Sequence, residues 1–140
     1  MSSRNGPIII IEDDNDDQEM LRDALTELKI SNKLIFFNNS DKALYYLMDT
    51  KEQPFLILCD INMPLLNGLE FRRKIVEIDL MRKKTIPFVF LTTTSKTEAV
   101  EEAYNLMVQG FFQKPNSMKE LKELLHAAIN YWKICLHPNV

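Results

Sequence analysis

The sequence has few cysteines, no excess of positive charge and no long apolar run, and each shortage excludes a class of protein. Only Cys59 and Cys135 occur among 140 residues, and nothing pairs them as a disulfide framework or as metal ligands. A formal net charge of -3 does not favour binding to nucleic acid or to a membrane surface. No apolar run approaches the roughly 20 residues of a membrane span, and the polar start MSSRNGP is unlike a secretion signal. We therefore expect a cytoplasmic protein.

The composition is that of one soluble globular domain. Hydrophobic residues make up 46% of the chain and charged residues 26%, and no repeat, low-complexity tract or linker divides it. We expect a single domain over residues 1–140, with a core from about residue 7 to about 132. Residues 133–140 are expected to form a short tail, with no effector domain.

Strand-like and helix-like segments alternate along the chain. The expected strands are residues 7–11, 33–37, 56–59, 87–91 and 110–113, separated by segments whose apolar residues follow helical spacing. Alternation with short connections requires parallel strands joined by right-handed crossovers. We therefore predict an α/β fold, a doubly wound five-stranded parallel sheet with helices on both faces. The uniformly apolar first and third strands are expected at its centre.

Three helix starts carry capping signals. Ser40-Asp41 precedes the second helical segment, Ser95 precedes the fourth, and Ser117 precedes the fifth. The last two have a glutamate three residues later, as in a capping box.

Acidic residues follow the first and third strands. The first strand ends in EDDNDD, and the later acids of this run suit the first turn of a helix. Glu12 and Asp13 come too early for that role, and Asp60 ends the third strand before a turn at Pro64. If these strands are neighbours, the three carboxylates converge and repel one another unless a cation neutralises them. Mg²⁺ favours such oxygen ligands, whereas the histidines needed for zinc lie far along the chain.

A hydroxyl and an ammonium group follow the remaining strands. Thr92 comes after the fourth strand and Lys114 after the fifth. Together with the acids, they could bind Mg²⁺, let Asp60 attack a phosphoryl group and neutralise the phosphate oxygens.

This set of residues resembles the receiver domains of response regulators in two-component signalling. The resemblance covers roughly residues 7–132 and implies a flavodoxin-like fold with strand order 2-1-3-4-5. It rests on Glu12-Asp13, on Asp60-Ile61-Asn62-Met63-Pro64 with Gly68, on Thr92, and on Lys114-Pro115.

The resemblance implies a phosphoryl acceptor and a metal site. Asp60 would accept a phosphoryl group from the phosphohistidine of a histidine kinase or phosphotransfer protein. Asp13 and Asp60 would ligate Mg²⁺ directly, Glu12 through water and Asn62 through its backbone carbonyl. The chain would then be a signalling module, and its only chemistry would be its own phosphorylation and dephosphorylation.

The resemblance also implies a switch. Lys114 would pair with a phosphate oxygen, and the Lys114–Pro115 bond is expected to be cis. Thr92 would swing towards the phosphate, and Phe111, where tyrosine is frequent in the family, would turn inward. Without an effector domain, the output would be a protein contact of the fourth helix, fifth strand and fifth helix with a target, a second copy or a phosphotransfer protein.

Two further features bear on phosphate lifetime and on the kinase. The uncharged Asn62 and Thr94 are expected to border the approach of water to the acyl phosphate, and we hypothesise that they set its lifetime. The segment 74–85, with its basic end, and the stretch LTTTSK resemble the small regulators that serve phytochrome-like and other sensor kinases.

Three other functions compete with this interpretation. A Mg²⁺-dependent aspartyl phosphatase commonly has a second Asp two residues after the nucleophile, where this chain has Asn62, and no cap domain is present. A nucleotide binder would need a Gly- or hydroxyl-rich loop after the first strand, where five acids stand. An unphosphorylated docking module remains the third alternative.

Overall fold

Five short strands form one parallel sheet in the order β2-β1-β3-β4-β5, as the sequence predicts. The computed structural model describes residues 3–63, 66–82 and 85–137, with side chains at all of these except 3 and 80–82. The expected turn residue Pro64 and the basic residues 83 and 84 lie outside the described residues. The strands are β1 (Ile8–Ile11), β2 (Leu34–Phe37), β3 (Leu56–Cys59), β4 (Phe88–Thr92) and β5 (Gly110–Gln113).

Each strand is followed by a helix, so every connection crosses from one strand to the next parallel one. The helices are α1 (Asn15–Glu27), α2 (Ser40–Asp49), α3 (Gly68–Arg82), α4 (Thr97–Asn105) and α5 (Met118–Ile134), after a 3-10 turn at Ser3–Asn5. Within the described residues, no helix is both long and apolar enough to cross a membrane.

The two faces of the sheet bury separate apolar clusters, because successive strand residues point to opposite sides. On one face, Ile9 and Ile57 pack with residues of α2, α3 and α4. On the other, Ile8 and Leu56 pack with residues of α1 and α5. Every residue of β1 and β3 is buried, whereas β2 and β5 at the edges are only partly covered. The predicted central position of β1 and β3 is therefore confirmed.

Side chains cap four of the helices at their start, including α3, where Asn67 Oδ1 accepts from the N–H of Glu70 at 3.0 Å. Asp14 accepts a hydrogen bond from the backbone of the first turn of α1, and Ser117 does so for α5. Asn39 caps α2, one residue earlier than the predicted signal. The prediction that Ser95 caps α4 is wrong, because the capping position is Lys96, which makes no side-chain cap bond. The chain is extended at Lys96, so α4 begins two residues after the serine.

The chain after α5 packs back against the sheet. His137 is 3% exposed, and its Nε2 lies 2.8 Å from the carbonyl oxygen of Phe55 at the start of β3. The two rings stack with centroids 5.5 Å apart. Arg4 donates to the carbonyl of Cys135 at 2.8 Å. The ordered fold thus extends past the predicted end of the core near residue 132.

Candidate functional site

The register of the two central strands brings the predicted acids together. Ile11 of β1 lies opposite Cys59 of β3, so Glu12 and Asp60 follow at the same edge of the sheet. The backbone N–H of Asp60 donates to the carbonyl of Ile11 at 3.0 Å, which continues the ladder to the acid itself. This is the carboxyl edge, where open α/β sheets place their ligand sites.

Three carboxylates meet at this edge. Glu12, Asp13 and Asp60 each place one oxygen within 4.8 Å of the others. Glu12 is 2% exposed and Asp60 is 6% exposed, whereas Asp13 lies nearer to solvent. The donors are all oxygens, and part of the cluster is open to water. The residues therefore fit a hard divalent cation such as Mg²⁺, which keeps several water ligands.

Lys114 brings a positive charge into this cluster from the end of β5. Its backbone N–H donates to the carbonyl of Thr92 at 2.8 Å, and its Nζ donates to carboxylate oxygens of three residues. Nζ bonds to Glu12 Oε1, lies 2.8 Å from Asp17 Oδ2, and lies 3.5 Å from Asp60 Oδ2.

Burial and charge shift the pKa values of two of these groups. Burial raises the pKa of Glu12 to about 7, and the negative charge of Asp60 adds to this, although the hydrogen bond from Lys114 opposes it. Burial alone would lower the pKa of Lys114, but its hydrogen bonds to Asp17 and Glu12 and the nearby carboxylates raise it overall. The lysine is therefore held in its charged form.

The two oxygens of Asp60 have different surroundings. Oδ1 accepts hydrogen bonds from the backbone N–H of Ile61 at 2.7 Å and of Asn62 at 3.4 Å. Oδ2 faces Lys114 at 3.5 Å. The loop after β3 thus fixes Oδ1, and Oδ2 is directed at the carboxylate cluster and Lys114.

The loop after β3 folds tightly against the first turn of α3. The N–H of Gly68 donates to the carbonyl of Ile61 at 2.9 Å. A Cβ at Gly68 would lie 2.2 Å from the carbonyl oxygen of Asp60, far inside van der Waals contact. Glycine is therefore required here by the close approach of the backbone that carries Asp60.

Hydroxyl and amide groups line the β4 side of the cluster. Thr92 is fully buried, and its hydroxyl oxygen accepts from the N–H of Thr94 at 3.4 Å. The side-chain amide of Asn62 donates to the hydroxyl oxygen of Thr94 at 2.7 Å. The two residues predicted to border the approach of water are thus bonded to each other. A role for the carbonyl of Asn62 in metal binding stays a prediction.

Phe111, the predicted aromatic switch, lies on β5 beside the buried ring of Phe90. The ring centroids are 5.9 Å apart, and Phe111 is partly buried against the α2–α3–α4 cluster. The predicted cis bond between Lys114 and Pro115 is wrong, because the peptide bonds of the described residues include no cis bond. The trans form is the intrinsically favoured isomer even before proline, and Nζ of Lys114 reaches the carboxylates from it.

Asp17 belongs to the site, although its sequence position predicts only a place at the start of a helix. The prediction was right for Asp14, which caps α1, but incomplete for Asp17, whose carboxylate pairs with Lys114. The signal that could have found it is its position in the first turn of α1, the helix that follows β1 at the carboxyl edge of the sheet. Its partner Lys114 directly follows β5, 97 residues away in sequence.

A buried arginine outside the cluster also escaped prediction. Arg72 of α3 is 2% exposed and donates to the carbonyls of Leu106 and Met107, each at 2.9 Å, at the end of α4. Its guanidinium also lies over the ring of Phe88 at 5.0 Å. Burial lowers the pKa of Arg72, which the charge of Asp79 partly opposes. Arg72 thus ties α3 to the end of α4.

Comparison with known proteins assigns the chain to a family. The sequence matches the family model of the response regulator receiver domain over residues 8–126. The chain belongs to this family. Receiver domains are signalling modules, and the acid cluster of this receiver lies at the carboxyl edge of its parallel sheet.

Several proteins resemble this receiver domain over nearly its whole length. Response regulator Rcp1 of Synechocystis sp. is 27% identical over 140 residues, and the match covers 94% of each chain. Chemotaxis protein CheY-3 of Vibrio cholerae is 27% identical over 124 residues, which cover 88% of this chain and 91% of CheY-3. A solved structure of the Mn²⁺-bound form of Rcp1 has a TM-score of 0.80 at 26% identity and covers 96% of this chain and 99% of its own.

Proposed function

We propose that Asp60 accepts a phosphoryl group and that the receiver domain thereby switches a protein-interaction surface. The observation that carries the proposal is the arrangement around Asp60. One of its oxygens is held by the N–H of Ile61 at 2.7 Å, and the other faces the ammonium group of Lys114 at 3.5 Å. Fixed geometry of this kind positions a carboxylate nucleophile. The ammonium group of Lys114 can then pair with the negative charge of the incoming phosphoryl group.

The proposed transfer uses this geometry. Oδ2 of Asp60 attacks the phosphorus of a phosphohistidine, the P–N bond breaks, and the imidazole nitrogen leaves with the bonding electrons. The product is an acyl phosphate that carries about 1.5 to 2 negative charges at pH 7. Lys114 pairs with one of its oxygens, and the hydroxyl of Thr92 turns from its bond with Thr94 towards another.

The metal requirement is part of the proposal. Asp13 and Asp60 would hold Mg²⁺ directly, Glu12 through water, and Asn62 through its backbone carbonyl. When bound, the cation neutralises the oxygens of the phosphoryl group during transfer. The support is the three carboxylate oxygens within 4.8 Å of one another, since this cluster contains more negative charge than Lys114 alone balances.

The output is proposed to be a change of the surface formed by α4, β5 and α5. Movement of Thr92 leaves space near the end of β4, and Phe111 turns inward to fill it. Phosphorylation would shift the population between two conformations that already exist. The partners expected are a downstream target protein, a phosphotransfer protein or a second copy of the chain, all in the cytoplasm.

The phosphoryl donor is proposed to be a sensor histidine kinase of the phytochrome-like kind, or its phosphotransfer protein. The solved structure of the bacteriophytochrome response regulator RtBRR has a TM-score of 0.73 at 29% identity and covers 93% of this chain and 78% of its own. The likeness of the segment 74–85 and of LTTTSK to regulators of such kinases agrees with this choice of donor.

The test is the intact mass of the protein after incubation with acetyl phosphate and Mg²⁺. We expect one added phosphoryl group in the wild type, and none without Mg²⁺ or in Asp60→Asn. Binding of beryllofluoride, which mimics the phosphoryl group, is the companion measurement because it does not depend on phosphate lifetime. Absence of both the adduct and beryllofluoride binding would contradict the proposed function.

A further inference from the structure

Lys114 lies closer to Asp17 than to the proposed phosphoryl acceptor. Its Nζ is 2.8 Å from Asp17 Oδ2 and 3.5 Å from Asp60 Oδ2, while it also bonds to Glu12. An ammonium group has three N–H donors, so all three are directed at carboxylates in this structure. A phosphoryl oxygen can therefore gain a full hydrogen bond from Lys114 only if one carboxylate gives up its own.

Asp17 is the carboxylate that can give up this bond most easily. Glu12 has only 2% of its side chain exposed, so water cannot replace Lys114 there. The side chain of Asp17 is 38% exposed, and water can solvate its oxygens when the lysine leaves. The desolvation penalty of an unpaired acid is thus much smaller at Asp17.

The first turn of α1 places Asp17 for this bond. Its backbone N–H donates to the capping side chain of Asp14 at 2.9 Å, which fixes the turn and leaves the carboxylate of Asp17 for Lys114. The neighbouring Asp16 is exposed and has none of the contacts with Lys114 that the described residues show.

We propose that Asp17 is the resting-state counter-ion of Lys114, which competes with the phosphoryl group on Asp60 for the lysine. The inference rests on the proposed function. In the resting state Asp17 draws the ammonium group away from Asp60, which leaves Oδ2 available as a nucleophile. After transfer the lysine exchanges Asp17 for a phosphoryl oxygen, and Asp17 becomes solvated. Asp17 is thus a positioning residue that weakens the hold on the phosphoryl group.

The test is the affinity for beryllofluoride in the presence of saturating Mg²⁺, measured by isothermal titration of the full chain. Asp17→Asn removes the competing charge, so we expect binding about three- to tenfold tighter than in the wild type, as loss of a partly exposed charge-assisted bond implies. Asp16→Asn is the matched control, because it removes the same charge from the same helix turn. We expect it to change the affinity less than twofold.

A second comparison separates competition for Lys114 from a general effect of charge. In a chain that carries Lys114→Gln, Asp17→Asn should no longer change the affinity. Loss of the effect in this background supports the exchange, whereas a persistent effect contradicts it. Equal affinities of Asp17→Asn, Asp16→Asn and the wild type would also overturn the inference. If instead the wild type binds no beryllofluoride and accepts no phosphoryl group, it is the proposed function that fails.

Discussion

Replacing Gly68 with alanine should disturb the loop that carries Asp60. The added Cβ would lie 2.2 Å from the carbonyl oxygen of Asp60 and 2.8 Å from Cα of Ile61. Both neighbours are backbone atoms, so no side-chain rotation can relieve the contact. Ordinary contact begins near 3.4 Å, so the loop after β3 must move away from α3 by about 1 Å. The expected cost of Gly68→Ala is therefore steric and does not come from backbone strain, since no glycine of the described residues has a positive φ.

The cost can be estimated from the contacts that change. Forcing an extra methyl group into a packed site costs about 1–3 kcal/mol, and weakening the bond from the N–H of Gly68 to Ile61 adds about 1 kcal/mol. The better helix propensity of alanine offsets less than about 1 kcal/mol of this cost, because residue 68 is the first helical position. We therefore expect Gly68→Ala to lower the free energy of unfolding by about 1–3 kcal/mol.

The assay is urea denaturation followed by circular dichroism, with Gly110→Ala as the matched control. A Cβ at Gly110 would lie 3.5 Å from Val89 Cγ2, an ordinary contact, so its unfolding free energy should change by less than about 1 kcal/mol. Because the displaced loop carries Asp60, Gly68→Ala should also take up phosphoryl groups from acetyl phosphate more slowly. Wild-type stability and wild-type uptake in Gly68→Ala would refute the steric argument.

Three further predictions concern residues around the site and at the far end of the sheet. Arg72→Met removes the donor to the carbonyl of Leu106 and one of the two donors to the carbonyl of Met107, to which Gln109 still donates at 2.9 Å. It should cost about 1–3 kcal/mol of unfolding free energy in urea, whereas Arg73→Met, which breaks an exposed ion pair, should cost less than about 1 kcal/mol. Burial lowers the pKa of His137, so the unfolded chain binds this proton more readily than the folded chain. The unfolding free energy should therefore fall as the pH drops below about 6.5, the ordinary histidine value, and less so in His137→Gln than in the exposed control His126→Gln. Thr94→Ala removes the acceptor of the side-chain amide of Asn62 and should change the dephosphorylation rate measured by intact mass. An unchanged rate after substitution of both Asn62 and Thr94 would contradict the hypothesis that these residues set the phosphate lifetime.

Much of the fold was predictable because its signals are local. The run IIII and the run before Asp60 are buried on both faces, so they are uniformly apolar and easy to recognise as central strands. Once two parallel strands are known to be neighbours, the residues that follow them must share an edge. For this reason the amino-acid sequence alone places Glu12, Asp60 and Lys114 together.

The residues that were missed depend on contacts between distant parts of the chain. The place of Asp17 at a helix start is explained locally by the dipole of α1, so nothing in the sequence required a partner after β5. The sequence around Arg72 predicts a solvated helix residue. Its burial depends instead on the carbonyls at the end of α4, to which its guanidinium donates. The contact of His137 with Phe55 depends on where the tail turns back. In each case the packing of whole elements decides the contact.

The most direct test of the central claim is the position of the phosphoryl group. The protein is phosphorylated with acetyl phosphate and Mg²⁺ and then treated with borohydride, whose hydride reduces the acyl carbon to an alcohol as phosphate leaves. Peptide mass spectrometry then locates the altered side chain. We predict a single alcohol, at Asp60, which is absent when Mg²⁺ is omitted. Reduction at Asp13 or Glu12 instead, or at no carboxylate while an added phosphoryl mass is present, would contradict the account.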